Sequence, residues 1–272
     1  MNGRTLAPDR QYRARVIIDA DVVAAVLADT WQHLASALPG AWTVRDGGVI
    51  AWVSGVSLPT LNGVWAERVD ADPAVAAQLL DQAGATGLPY CLQLRPGASP
   101  ALSQLASARL MSLAEEIPLM VTESPSDIGD IQETAGLVIR QLAAEEAGLH
   151  AQVAAAGFEA PVELFRQLMT ADVMRLPGVR VYIGELGDEA VTTGMGITLG
   201  RSVGVFSIAT PAQHRRNGYG AAITARAMAD GVADGAIWCW LQSSQIGYAT
   251  YGRLGFKTVE TWPCWISADQ HR

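Results

Sequence analysis

The stretch SVGVFSIATPAQHRRNGYGAAITARAMADG, residues 202–231, constrains the fold of this chain more than any other. Apolar residues over VGVFSIAT predict a strand, and the alanine-rich run after Gly220 predicts a helix closing on Gly231 or Gly235. Between them, Gln213-His214-Arg215-Arg216-Asn217-Gly218-Tyr219-Gly220 sets a compact basic cluster against two glycines spaced by one residue. A strand that runs through such a turn into a helix is the unit of α/β folds. The first N–H groups of a helix lack intrahelical partners and carry the positive end of its dipole. Glycines let an anion approach that backbone closely, so the stretch predicts a phosphate site.

Composition limits what the anion can belong to. The 272 residues are 50% hydrophobic and 17% charged, enough for a sizeable core in one large or two ordinary domains. A net charge of -8 argues against a nucleic-acid or membrane-surface partner, which needs a basic face. Cys91, Cys239 and Cys264 lie far apart, and the four histidines show no ligand spacing, so we expect reduced thiols and no metal. The polar start and the lack of a membrane-length apolar run predict a cytoplasmic protein. The glycine loop is neither a P-loop nor a full dinucleotide fingerprint. No Gly-Lys-Ser/Thr follows it, and Ile223 stands where a third glycine belongs.

Helices are expected over 19–37, 73–84, about 100–114, 143–156 and 161–174, with a short one in SQIGYATYGRLG. Strands are expected within 49–69, at 88–97, at 117–121, in GLVIRQL, VRVYIGEL, AVTTGMGITL and AIWCWLQ, and in the closing FKTVETWPCWI. The polar TESPSDIGD, 122–130, reads as a linker. Across it the halves repeat: Asn62-Gly-Val-Trp65 matches Val203-Gly-Val-Phe206, Cys91 to Gln93 matches Cys239 to Gln242 with a one-residue shift, and Arg109-Leu110 and Pro118 match Arg253-Leu254 and Pro263. The strand-to-cysteine separation is longer in the second half by about the length of the basic loop. The expectation is a duplicated α/β domain in which the second copy alone kept the anion site. Trp238, Trp240, Trp262 and Trp265 read as core packing, and Glu115-Glu116 as a solvated face.

The order Arg215-x-x-Gly218-x-Gly220 after a strand, with Tyr251-Gly252-Arg253-Leu254-Gly255-Phe256 following a helix and a strand, resembles the GNAT N-acetyltransferase superfamily. The resemblance covers about residues 130–272 and reaches the first half only through the repeat. It implies two tandem GNAT-like domains, 1–121 and 131–272, each a mixed, largely antiparallel sheet flanked by helices. It also implies acetyl-CoA as co-substrate and a small-molecule or peptide amine as acceptor, in a monomer or homodimer.

Carried over residue by residue, the resemblance has Ile208, Ala209 and Thr210 ending the strand beside the pantetheine arm. Arg215, Arg216, Asn217, Gly218, Tyr219, Gly220 and Ala221 would cradle the pyrophosphate. Ser244 stands where many relatives have an Asn that contacts the pantetheine. Tyr251 matches the tyrosine near the thioester sulfur, a general acid for the leaving thiolate. Where relatives offer a carboxylate on the central strands, this chain has VGVFSIA, so Glu185 is the acidic candidate for the base. A mycothiol-synthase-like acyltransferase and a non-catalytic CoA-binding or assembly protein stay open as alternatives.

Overall fold

The computed structural model describes residues 18–125 and 134–267. The polar start and most of the linker reading, 126–130, lie outside the described residues. In chain order the first half holds α1 (Ala20–Ala35), β1 (Trp42–Asp46), β2 (Val49–Val53), β3 (Asn62–Ala66), α2 (Pro73–Gly84), β4 (Cys91–Gln93), α3 (Pro100–Ala108) and β5 (Ser112–Thr122). The second holds β6 (Leu137–Gln141), α4 (Ala147–Phe158), α5 (Val162–Leu168), α6 (Ala171–Met174), β7 (Val179–Leu186), β8 (Glu189–Leu199), β9 (Ser202–Ala209), α7 (Tyr219–Ala233), β10 (Trp238–Gln242), α8 (Tyr248–Arg253) and β11 (Lys257–Ile266).

The fold is mixed α/β, with a largely antiparallel sheet flanked by helices, as the resemblance implies. Instead of one sheet per half, the strands join into a single 11-stranded sheet in the order β1-β2-β3-β4-β11-β5-β10-β9-β8-β7-β6. One face carries α1 and α4 to α6 over a core that includes Val23, Leu27, Trp31, Val153 and Val173. The other carries α2 and α3 over one cluster and α7 and α8 over a second. Asp19 caps α1 by accepting the Val22 N–H at 2.9 Å, and Val23, Leu27, Trp31 and Leu34 then fall on one buried stripe. Burying each of these side chains is worth about 2 kcal/mol.

The centre of the sheet is an exchange. β5, the last strand of the first half, lies between β11 and β10; β11, the last strand of the second, lies between β5 and β4. Their pairing has two-fold symmetry about the Ile117–Trp262 pair. Pro118–Thr261 mirrors Glu116–Pro263, Leu119–Glu260 mirrors Glu115–Cys264, Met120–Thr258 mirrors Leu113–Trp265, and Val121–Lys257 mirrors Ser112–Ile266. The skipped residues, Ala114 and Val259, also correspond.

The flanking strands obey the same symmetry. Gln93 faces Cys264 and Gln242 faces Leu119, which makes the two glutamines equivalent. Gln242 Nε2 donates to Gln93 Oε1 at 3.2 Å across the pseudo-dyad. The Leu94 N–H donates to the Pro263 carbonyl at 3.2 Å and the Ser243 N–H to the Pro118 carbonyl at 2.9 Å. The register therefore corrects the repeat. Cys91 answers to Trp240, the Cys91–Cys239 match is one residue out, and the shift at the glutamine disappears.

Three elements differ from expectation. The helix expected over 161–174 is two, α5 and α6, because Thr170 leaves the first and caps the second by accepting the Val173 N–H at 3.2 Å. The helix expected to reach 114 stops at Ala108, because Leu110 takes a left-handed φ of 54° and Ser112 already belongs to β5. β1 was not expected from the sequence: WTVRD is half-exposed and polar at its end, so only pairing with β2 reveals it.

Candidate active site

β9 and β10 run parallel and pair at Ser202–Trp238, Val203–Cys239 and Gly204–Trp240. Beyond Gly204 they part. β9 stays with β8 as far as Ala209, and β10 stays with β5 as far as Gln242. In the first half the equivalent strands remain paired further, through Trp65–Gln93, which corresponds to Phe206 and Gln242. The cause lies in β9. Ser207 has φ 51°, and the register with β8 slips between Thr193–Ala209 and Met195–Phe206. Such a bulge bends its strand away from a neighbour. The opening between β9 and β10 thus belongs to the second half alone.

The glycine loop stands at the end of β9, where Thr192 Oγ1 donates to the Ala209 carbonyl at 3.0 Å and meets Thr210 Oγ1 at 2.9 Å. Arg215 pins the loop to its surroundings. Nε donates to the Thr210 carbonyl at 3.2 Å, and Nη2 donates to the Gly157 carbonyl at 2.8 Å and to Glu159 at 3.0 Å. Asn217 Nδ2 donates back to the His214 carbonyl at 3.1 Å, and Arg216, at φ 68°, projects an exposed guanidinium. Gly218 precedes α7 at φ 81°, a left-handed conformation that favours glycine. The first backbone bond back to it comes from Ala222 at 3.0 Å, so the N–H groups of Tyr219, Gly220 and Ala221 have no partner among the described residues.

Gly220 differs in kind from Gly218. Its backbone is helical, and an added Cβ would lie 3.4 Å from Ile208 and 3.7 Å from Thr210, ordinary contact distances. Nothing within the chain requires glycine there, so its bareness leaves the helix end open to a molecule from outside.

Ile208, Ala221 and Tyr251 pack on one apolar cluster with Ile223, Leu241 and Phe256, which brings the strand end, the loop helix and α8 together. Tyr251 stacks edge-on to Phe256 at 6.0 Å, and burial pushes its phenol up to about 12, so it stays protonated at neutral pH. Gly247 makes room for that ring, since a Cβ there would lie 2.7 Å from Tyr251 Cε2. Ser244 is exposed at the end of β10, where its hydroxyl accepts the Gly247 N–H at 3.2 Å.

Glu185 lies on β7, separated from β9 by β8, and its carboxylate accepts from Arg140 at 3.1 Å through both oxygens. Closer to β9 is His150, a residue that sequence reasoning left unassigned. It sits on α4, 1% exposed, with Nδ1 2.7 Å from Thr193 Oγ1, and Thr193 pairs directly with Ala209. Because the Thr193 hydroxyl spends its proton on the Tyr182 carbonyl at 2.7 Å, His150 Nδ1 must be the donor, which leaves Nε2 unprotonated. Among the described residues, no group of three His, Cys, Asp or Glu is placed to hold a metal ion, and no helix is long and apolar enough to cross a membrane.

The fold is that of GNAT N-acetyltransferases on which the chain superposes. A GCN5-related N-acetyltransferase from Kribbella flavida superposes with a TM-score of 0.67 at 20% identity, over 92% of this chain and 97% of that one. A putative GNAT-family acetyltransferase from Novosphingobium aromaticivorans gives 0.55 at 16% identity, over 82% and 89%. A tandem GNAT protein from the clavulanic acid biosynthesis pathway gives 0.53 at 14% identity, over 94% and 98%. No family model matches the chain, and no curated protein is similar to it in sequence.

Proposed function

We propose that the chain is an acetyl-CoA-dependent N-acetyltransferase acting on a primary amine, built from a duplicated domain whose second copy, 131–272, holds the site. The observation that carries this reading is Gly220: a bare position, not required by the fold, at a helix start with three unpaired N–H groups, beside the one place where the parallel strands open. A pyrophosphate on those N–H groups would gain charge-assisted hydrogen bonds, with Arg216 at the rim. The pantetheine arm would follow the edge of β9 toward Ile208, Ala209 and Thr210, with Ser244 across the opening.

In the transfer, the amine nitrogen bonds to the acetyl carbon as the carbon–sulfur bond breaks. Tyr251, protonated and half-buried, donates to the departing thiolate. The proton lost by the amine goes to water or to a side chain. Glu185, held by Arg140, takes it only through water, while His150 offers an unprotonated Nε2 one strand from β9. The engaged state of Glu185 is also what favours the second reading, a protein that holds CoA without turnover; acetylation of any member of an amine panel rules that out.

The test is calorimetric titration of acetyl-CoA into the wild type and Gly220→Glu. A carboxylate in the first turn suits the helix dipole, yet it stands where the phosphates approach. The expected result is one site per chain, weakened roughly tenfold or more, or about 1.4 kcal/mol, in a variant that melts no lower. Equal affinity in both proteins, or no binding to the wild type, counts against the reading.

A further inference from the structure

The first half, whose parallel strands do not part, shows what caps the equivalent strand ends. Arg95, 4% exposed, follows β4 and crosses the space between the ends of β3 and β4. Its Nε and Nη2 donate to the two oxygens of Glu260 at 2.9 and 2.7 Å, and Nη1 donates to Asp21 at 2.6 Å and to the Glu67 carbonyl at 2.9 Å. The guanidinium closes that mouth from strand to strand.

The two-fold register fixes the counterparts of these groups in the second half. Arg95 stands two residues after Gln93, so its equivalent is Ser244, two residues after Gln242. Glu260 pairs with Leu119 and Glu115 with Cys264, so the equivalent of Glu260 is Glu115. The second half has therefore kept the carboxylate and replaced the cation with a short hydroxyl. Strand alternation puts Glu115 on the face of Gln93 and Cys264, the face of α1 and α4, while Glu116 points the other way. The Glu115 carboxylate is exposed and makes no hydrogen bond or ion pair among the described residues. The exchange of β5 between the halves is what sets the strand carrying Glu115 beside β10.

We propose that Glu115 is a specificity-determining residue for the acceptor, and that a cationic nitrogen of the acceptor takes the place that the Arg95 guanidinium holds in the first half. Describing that ligand as an acceptor rests on the acetyl-CoA-dependent reading. The cation is a second group, distinct from the reacting amine, because a nitrogen held as a cation has no lone pair with which to attack. The acceptor class is thus an amine that also carries a positive charge, such as a diamine, a basic amino acid or an aminoalkylguanidine.

Agmatine, a primary amine with a guanidinium at its far end, is the probe. It is titrated calorimetrically, with and without saturating CoA, into the wild type, Glu115→Gln and Ser244→Arg; pentylamine is the uncharged-end control. One agmatine site is expected, weakened roughly tenfold by Glu115→Gln as one charge-assisted pair is lost, with CoA affinity unchanged and pentylamine indifferent to the substitution. Ser244→Arg supplies an internal guanidinium and is expected to abolish agmatine binding. Agmatine binding equally to wild type and Glu115→Gln overturns the proposal, as does a wild type that ignores agmatine. A chain that holds agmatine through Glu115 without holding CoA keeps this proposal and sinks the acetyl-CoA reading instead.

Discussion

His150 is where a single residue sets a measurable property of the molecule. Burial lowers its imidazole from the ordinary value of 6.5 to about 4, so the folded chain keeps it neutral, with Nδ1 donating to Thr193. Below pH 6.5 the unfolded chain takes up a proton that the folded chain refuses. Stability is therefore flat above about pH 6.5 and falls as the pH drops toward 4, by about 3 kcal/mol for this group. Urea unfolding at pH 7 and pH 4.5 checks this: wild type should lose more stability between the two than His150→Gln, and equal losses would refute the assignment. Nothing local in AGLHAQV announced the role, because the burial comes from α4 lying on β8 and β9 and the tautomer from a threonine in another element. Gly218 and Tyr251 were legible for the opposite reason. Their chemistry belongs to a helix start and a short helical turn, which nearby sequence specifies.

At the scale of the element, β9 combines ordinary strand sequence with one conformation that sequence does not show. Ser207 at φ 51° costs roughly 1–2 kcal/mol of backbone strain, and the bulge it creates separates β9 from β10. Valine, a better strand former, is unable to take that angle without further strain. Ser207→Val is expected to lower stability by about 1–2 kcal/mol and to weaken acetyl-CoA binding, whereas Ser207→Gly should keep affinity and stay within about 1 kcal/mol of wild type. Thermal melts and the same calorimetric titration decide it; a valine variant that binds and melts like wild type would mean the bulge is incidental. β5 was the least legible element. Its first residues, Ser112 to Glu116, are all exposed and carry no alternation, and what holds them extended is backbone pairing with β11. Only IPLMV, which is buried, read as a strand, and so Glu115 passed for a solvated surface residue.

For the whole molecule, the exchange of β5 and β11 means that the last strand of each half pairs only with strands of the other. Cut between Pro125 and Thr134, the first fragment would carry β5, whose partners β10 and β11 are both in the second. The second would carry β11, which needs β4 and β5 from the first. Each fragment alone would expose long strand edges and half of the α1/α4 core, where Trp31 of α1 meets Phe206 of β9 at 6.2 Å and His33 bonds to the Pro177 carbonyl at 2.9 Å. The buried Arg95–Glu260 pair also spans the cut, and separating it would leave a carboxylate beside Trp262 without its cation. A chain carrying a protease site between Pro125 and Thr134 should therefore stay one particle after cleavage and keep binding acetyl-CoA. The two fragments expressed separately should be unfolded or aggregated, and mixing them from denaturant should restore a single cooperative transition. Size-exclusion chromatography with circular dichroism follows all three states. Two fragments that each fold and stay monomeric would show that the continuous sheet is not what holds the halves together, and the equivalence of Arg95 with Ser244 would then lose its structural basis.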